Sequence, residues 1–165
     1  MELLDVYDDN GNKTGKVVQR GVKDTIFKSN EHIAVSIIYI ENSKQEYLIQ
    51  KRPKKVDGLF SSTGGHILHN ESPKEAIIRE VKEELGIDIS NEDIKDLGYV
   101  LFDFPVRFIF YLKKDIDLNS LKLQKEEVES VSYKGLDEIH ELIDKKLMHK
   151  AHYKILELIL ENKIV

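Results

Sequence analysis

The sequence predicts an α/β protein in which a mixed β-sheet is flanked by helices. Three observations predict this class: strand-like segments precede a helix, further strand-like segments follow it, and two helical segments come last. The chain has 165 residues, which is enough for one domain with a hydrophobic core. No linker or internal repeat divides it, so we expect residues 1–165 to form a single domain.

The first strands are expected to form a hairpin over residues 1–22. Two short apolar segments flank the dipeptide Asn10-Gly11, and Asn-Gly is the strongest short-range hairpin signal. Residues 32–41 are nearly continuous in β-branched and apolar residues, which is typical of a buried central strand. Residues 46–52 follow a polar turn and are expected to pair with that strand.

The most strongly marked element is a helix over residues 73–85. Ser72 can cap its N-terminus, and Pro73 at the first helical position loses no needed hydrogen bond. Glu75 completes a capping box with Ser72, and Gly86 supplies the stop.

The rest of the chain predicts three strands and two helices. Residues 94–114 contain two strand-like segments interrupted near Pro105, and residues 126–136 predict one more strand. The two closing helices are expected within residues 136–163. His149 and His152 lie one turn apart there without further ligand-type residues nearby, so we expect them at the surface.

The helix at 73–85 concentrates negative charge on one side. On a helical wheel Glu80, Glu83 and Glu84 share a face, in the half of the helix where the dipole disfavours carboxylates. A solvated acidic face is one interpretation of this cluster. The other is a site for Mg²⁺, or alternatively Mn²⁺, whose preferred ligands are oxygen atoms. A glycine-rich segment, "STGGH" at 62–66, is expected to form a turn before this helix.

Composition excludes several classes of protein. The 25 basic and 30 acidic residues give a net charge of −5, and a binding surface for long nucleic acid normally carries a basic excess. No apolar run reaches the roughly 18 residues of a membrane span. The absence of cysteine excludes disulfides and thiolate chemistry and is compatible with the cytoplasm, where we expect the protein.

The spacing of the charged and glycine residues around the helix resembles a known signature. It runs Gly65, Glu71, Arg79-Glu80-Val81, Glu83-Glu84 and Gly86-Ile87. This pattern is similar to the Nudix box, G-x5-E-x7-R-E-U-x-E-E-x-G-U, where U is a bulky aliphatic residue. Every specified position between residues 64 and 87 fits, and the likeness extends over about 31–142. The hairpin at 1–22 more weakly resembles a branch related to isopentenyl diphosphate isomerases.

The resemblance implies a fold and a set of roles. The fold is the Nudix α/β/α sandwich, and the activity is metal-dependent hydrolysis of a diphosphate linkage by attack of water on phosphorus. The resemblance implies four metal ligands: the Gly64 carbonyl and the carboxylates of Glu80, Glu83 and Glu84. It gives Glu71 and Arg79 supporting roles.

Residues outside the box complete the candidate site. Family precedent places a base in the segment that includes Glu127, our first choice, and Glu126, the second. Arg79 can pair with Glu83 four residues later and hold that carboxylate in place. Arg52 and, with less support, Arg20 are candidates for substrate phosphate, since a guanidinium matches phosphate oxygens.

Three functions stay open on the sequence. The first is a small-molecule diphosphate hydrolase. The second is an isomerase related to isopentenyl diphosphate isomerases, although that family uses a catalytic cysteine and this sequence contains none. The third is a domain that binds a nucleotide without cleaving it. The sequence is compatible with a homodimer but does not decide the oligomeric state.

Overall fold

Nine β-strands and three α-helices occur in residues 1–162, the part of the chain that this computed structural model describes. The strands are β1 (Leu3–Tyr7), β2 (Lys13–Gln19), β3 (Ala34–Glu41), β4 (Tyr47–Lys51), β5 (Phe60–Ser61), β6 (Thr63–His66), β7 (Lys95–Val100), β8 (Val106–Lys113) and β9 (Ser130–Lys134). The helices are α1 (Pro73–Leu85), α2 (Leu136–Asp144) and α3 (Lys150–Leu160), and a short 3-10 helix covers Leu118–Ser120.

The strands form one large mixed sheet and one separate hairpin. The large sheet has the order β5-β4-β3-β8-β7, with β6 paired to β3 and β9 paired to β4. Strands β3 and β8 run parallel, and the other pairs are antiparallel. Strands β1 and β2 pair antiparallel outside this sheet. The expected mixed sheet is therefore present.

Helices cover both faces of the large sheet. One face packs Ile38, Ile40 and Phe110 against Ile77 and Val81 of α1. Alternate residues of the same strands point to the opposite face, as the two-residue period of a strand requires. There, Ile37, Tyr39, Ile49 and Ile109 of the sheet pack against Ile139 of α2 and against Ile155 and Leu156 of α3. This is the predicted α/β/α sandwich.

Helix α1 begins and ends as its sequence predicts. The Ser72 hydroxyl accepts a hydrogen bond from the Glu75 N–H (3.1 Å), and the Glu75 carboxylate accepts one from the Ser72 N–H (3.0 Å). Gly86 adopts the left-handed conformation with φ of 75°, and its N–H donates to the Lys82 carbonyl. Local capping thus fixes where the acidic face of α1 lies.

Three boundaries differ from the sequence-based expectations. The segment "STGGH" is not a free turn, because residues 63–66 form β6 and pair with Val35 to Ile38 of β3. The strand expected over 126–136 begins only at Ser130. The last helix was expected to reach residue 163, which lies outside the described residues, and α3 ends at Leu160.

Within residues 1–162, none of the helices combines the length and the apolar character that crossing a bilayer requires.

Replacing Gly86 by alanine should lower the free energy of unfolding by about 2 kcal/mol or more. A side chain in the left-handed conformation costs about 1–2 kcal/mol. The added Cβ would also lie 2.8 Å from the Lys122 Cβ and 2.9 Å from its carbonyl oxygen. Urea unfolding followed by circular dichroism measures the loss.

Gly15→Ala is the matched control for this measurement. Gly15 also has a positive φ of 93°, but nothing lies within 4 Å of its added Cβ. It should lose about 1 kcal/mol from backbone strain alone. Equal losses in the two variants would contradict a close contact between Gly86 and Lys122.

Candidate functional site

The predicted site residues meet in one pocket of about 380 Å³. All eight of them line it: Arg20, Arg52, Gly64, Arg79, Glu80, Glu83, Glu84 and Glu127. Of the two candidates for the base, Glu127 lines the pocket, and Glu126 does not among the residues that the structure describes. The pocket crosses the edge of the large sheet, with α1 carboxylates on one side and residues of β8 and α3 on the other.

Glu84 is the most deeply buried of the carboxylates in the pocket. Its residue is 5% exposed, and its Oε1 accepts a hydrogen bond of 3.0 Å from the Gln50 amide. The Thr63 hydroxyl donates to the other end of that amide and so orients it. The Glu84 Oε2 has no hydrogen-bond partner within residues 1–162, although it is fully buried. Burial, and to a smaller extent the adjacent Glu80 carboxylate, raise the pKa of Glu84 to about 8.

Arg79 gathers three carboxylates and one carbonyl around its guanidinium. It donates to both oxygens of Glu71 (2.7 and 3.0 Å), to Glu80 (2.9 Å) and to Glu83 (3.2 Å). A further bond of 2.9 Å reaches the His66 carbonyl. The bond to Glu83 is the contact expected from their four-residue spacing. The hydrogen bonds to Glu71 raise the pKa of Arg79, so its positive charge is constant.

Two glycines allow the helix carboxylates to approach the sheet. A Cβ on Gly65 would lie closer than 3.0 Å to the Glu80 carboxylate, so only a glycine leaves that carboxylate its place. A Cβ on Gly64 would collide with the Ser36 carbonyl of β3. Both glycines belong to β6, so the backbone here is an extended strand and not the turn that the sequence predicts.

The donor set fits a divalent cation. The buried and unpartnered Glu84 oxygen lies in the same pocket as Glu80 and Glu83, and oxygen ligands of this kind suit Mg²⁺ and Mn²⁺. Within residues 1–162 no three acidic, histidine or cysteine side chains already form a cage, because Arg79 engages Glu80 and Glu83 while Gln50 engages Glu84. Assignment of these residues as ligands stays a prediction.

The N-terminal hairpin forms one rim of the pocket. Arg20 pairs with Glu2 at 2.7 Å, and both side chains are about half exposed, at 50% and 46%. Asp5 fastens the hairpin to the loop before α1, because its carboxylate accepts bonds from the His69 ring (2.8 Å) and the Asn70 N–H (3.0 Å). This attachment brings Arg20 beside the pocket.

Several polar residues that line the pocket received no site role from the sequence, among them Gln50, Arg107, His149 and His152. The two histidines were expected at the surface, and that expectation is wrong because both are partly buried against the sheet. Hydrogen bonds between Phe60 and the residues at 147 and 149 bring the start of α3 to β5, which spacing within α3 could not indicate. Arg107 gave a signal, since it interrupts an apolar strand.

Comparisons with known proteins agree with this fold. The model of the NUDIX domain family matches residues 30–159. An uncharacterized Nudix hydrolase of Listeria monocytogenes is 33% identical over 86% of this chain and 85% of its own length. An 8-oxo-dGTP diphosphatase of Proteus vulgaris is 36% identical over 50% of this chain and 71% of its own length. A crystal structure from Deinococcus radiodurans superposes with a TM-score of 0.74 at 17% identity, covering 89% of this chain and 91% of that one.

Replacing Glu71 by glutamine should lower the free energy of unfolding by about 2 kcal/mol. The Glu71 and Arg79 side chains are only 14% and 24% exposed, and a largely buried guanidinium that loses its charged partner is costly. Urea unfolding at neutral pH measures the change.

Glu2→Gln is the control for the position of the ion pair. The Glu2–Arg20 pair is about half exposed, so its loss should cost no more than about 1 kcal/mol. If Glu71→Gln costs as little as Glu2→Gln, Arg79 does not depend on Glu71 to the extent that the contacts indicate.

Proposed function

Because this chain belongs to the Nudix family of hydrolases, we propose that it cleaves a diphosphate linkage in a nucleoside diphosphate derivative with the help of a divalent cation. The single observation that carries the proposal is the buried, unpartnered Glu84 oxygen facing a pocket that also holds Glu80 and Glu83. Unpaired carboxylate in a buried place is costly, and a cation would offset that cost.

Four residues would hold the cation. They are Glu80, Glu83 and Glu84, with the carbonyl of Gly64 as a fourth donor. We propose Mg²⁺ as the ion, with Mn²⁺ as the alternative, because all these donors are oxygen atoms. When bound, the cation would neutralise phosphate charge and lower the pKa of a water molecule.

The remaining polar residues of the pocket bind substrate phosphate, activate water or position the carboxylates. Arg52 binds a substrate phosphate, since it lines the pocket and its ion pair with Asp57 is long, at 3.4 Å. Arg20 contributes a second phosphate contact from the hairpin rim once it leaves Glu2. Glu127 accepts the proton from the attacking water. Arg79 touches no substrate and instead keeps Glu80 and Glu83 in position.

The name of one relative narrows the group that is attached to the diphosphate in the substrate. ADP-sugars, dinucleotides, nucleoside triphosphates and prenyl diphosphates all contain the required linkage. The name of the Proteus vulgaris relative favours the nucleotides among these. A cytoplasmic location stays a prediction of the sequence.

Incubation of the protein with Mg²⁺ and a panel of diphosphate compounds should yield products from one class. Chromatography of the mixtures identifies the bond that is cleaved. Glu83→Gln should retain the fold and lose turnover by about a hundredfold or more, the loss typical when one electrostatic contact to a transition state is removed. Turnover near the wild-type rate in that variant would refute the role of Glu83, and no turnover of any compound by the wild type would favour a binding domain or an isomerase.

Mg²⁺ should raise the melting temperature of the wild type but not that of Glu84→Gln. A ligand at 100 times its Kd stabilises the folded state by about 2.7 kcal/mol, which corresponds to roughly 5–10 °C for a chain of this size. Differential scanning fluorimetry with and without EDTA measures the shift.

Glu127→Gln distinguishes the proposed base from the proposed metal ligands when the melting temperature and the turnover are both measured. It should keep the Mg²⁺-dependent shift and lose only turnover, because Glu127 is proposed to act on water. A full shift in Glu84→Gln would mean that Mg²⁺ binds elsewhere. A lost shift in Glu127→Gln would move that residue into the metal site.

A further inference from the structure

The pocket has a second polar end that the proposed chemistry does not use in full. We call it the basic lobe and define it by Arg52, Arg107, His149 and His152, all of which line the pocket. Arg107 lies on the same face of β8 as Ile109, which packs in the core beneath α2 and α3. The lobe therefore opens on the opposite face of the sheet from the α1 carboxylates.

Arg107 places a nearly buried positive charge in this lobe. Its side chain is 9% exposed, pairs with both oxygens of Asp103 and packs on the Phe102 ring with 5.0 Å between the guanidinium carbon and the ring centroid. The Asp103 side chain is 48% exposed, so water screens much of its charge. The carboxylate thus orients the guanidinium but neutralises it only in part.

The two histidines add hydrogen-bonding groups beside the guanidinium groups. Their ring centroids are 4.6 Å apart, and the His152 Nδ1 lies 2.6 Å from the Ser62 hydroxyl. The His149 Nδ1 is buried and has no hydrogen-bond partner within residues 1–162. His149 precedes α3 without capping it through its side chain, so helix capping does not account for its orientation.

The positive charges of Arg52 and Arg107 both act on the two imidazoles. Burial lowers the pKa of both imidazoles, and the charges of Arg52 and Arg107 lower them further. Both guanidinium groups line the same pocket as the two histidines, and each pairs with a carboxylate, Arg52 with Asp57 and Arg107 with Asp103. At neutral pH the histidines are neutral, and the positive charge of the lobe comes from the two arginines.

We propose that the basic lobe binds a phosphate monoester on the part of the substrate that lies beyond the cleaved diphosphate. A phosphate has several acceptor oxygens and two charges, which match two guanidinium groups and two imidazoles better than a single carboxylate does. The assignment rests on the proposed function, because it concerns the same pocket. It adds a substrate class: diphosphate compounds with a further phosphate group.

A purely structural role explains fewer of these features. Pairing with Asp103 could serve only to anchor the loop between β7 and β8. That role leaves the buried His149 nitrogen without a partner and gives no reason for Arg52 to approach the same histidines. A bound phosphate would supply the missing partner.

The binding test uses inorganic phosphate in the presence of EDTA, so that no divalent cation contributes. Nuclear magnetic resonance of the imidazole groups gives a signal for each histidine. Phosphate should shift the His149 and His152 signals saturably and leave exposed His140 on α2 unchanged. Equal shifts at His140, or none at the two lobe histidines, would overturn the proposal.

Three variants separate phosphate recognition from folding. Arg107→Gln should weaken phosphate binding about tenfold or more, the usual loss for a charged hydrogen bond. Arg52→Gln, whose side chain is 27% exposed, should also weaken it; because Arg52 is proposed to contact the diphosphate as well, weakening in Arg52→Gln without weakening in Arg107→Gln would place the phosphate at the diphosphate site and overturn the proposal. Asp103→Asn should strengthen binding, because it removes the competing carboxylate, whereas a structural ion pair predicts no gain.

Lys95→Gln is the matched control. It removes one positive charge at an exposed site outside the pocket, where Lys95 pairs with Asp93, and should leave phosphate binding unchanged. Undiminished binding in both Arg107→Gln and Arg52→Gln, or equal weakening in Lys95→Gln, would show attraction to the whole protein rather than to the lobe.

A pair of substrates tests the consequence for catalysis. ADP-ribose and its 2′-phosphate share the diphosphate and differ by one phosphate monoester. The wild type should show the higher kcat/KM for the phosphorylated compound, and Arg107→Gln should remove that preference. Phosphate binding at the lobe without turnover of these two compounds or of any compound in the diphosphate panel would refute the proposed hydrolysis and retain the lobe. Turnover without preference or phosphate binding would refute the lobe and retain the hydrolase.

Discussion

The contacts of the Arg79 guanidinium hold together the parts of the chain on which the site depends. This one guanidinium donates hydrogen bonds to Glu71 in the loop before α1 and to Glu80 and Glu83 in the helix itself. Three carboxylates this close would repel one another, and for Glu80 and Glu83, in the C-terminal half of the helix, the dipole adds to the repulsion. A guanidinium with five donors in a fixed plane is the side chain that can offset this from one position. The bond to the His66 carbonyl extends the same restraint to β6.

The Glu84 carboxyl group lies outside the contacts of Arg79, and those contacts do not explain why it is buried. Arg79 does not bond to it, and the Gln50 amide donates to its Oε1. Burial raises its pKa to about 8, so the charged form is costly in the folded protein. A chain selected only for stability would place an apolar residue there, as α1 does at Val81 and Leu85. The cost is consistent with a group that works with a cation.

Local sequence signals predicted what is local and failed where pairing is distant. The bounds of α1 follow from Ser72, Glu75 and Gly86, each of which acts within one turn of the helix. Strand β6 escaped prediction because its glycines favour turns, and only pairing with β3, far away in the sequence, makes them extended. The burial of His149 and His152 depends on the docking of α3 against β5, which no spacing within α3 encodes.

The edge of the sheet decides how the two ends of the pocket relate. The α1 carboxylates lie on one face and Arg107 on the other, so a ligand that contacts both must pass the segment that includes Ser62 and Gly64. At Gly64 an added Cβ would collide with the Ser36 carbonyl of β3, so the strand that carries this predicted metal ligand packs closely on the sheet. On the proposed function, a substrate that reached the two histidines would extend beyond the diphosphate, and its selection would rest on Arg107, His149 and His152, which the family signature does not include.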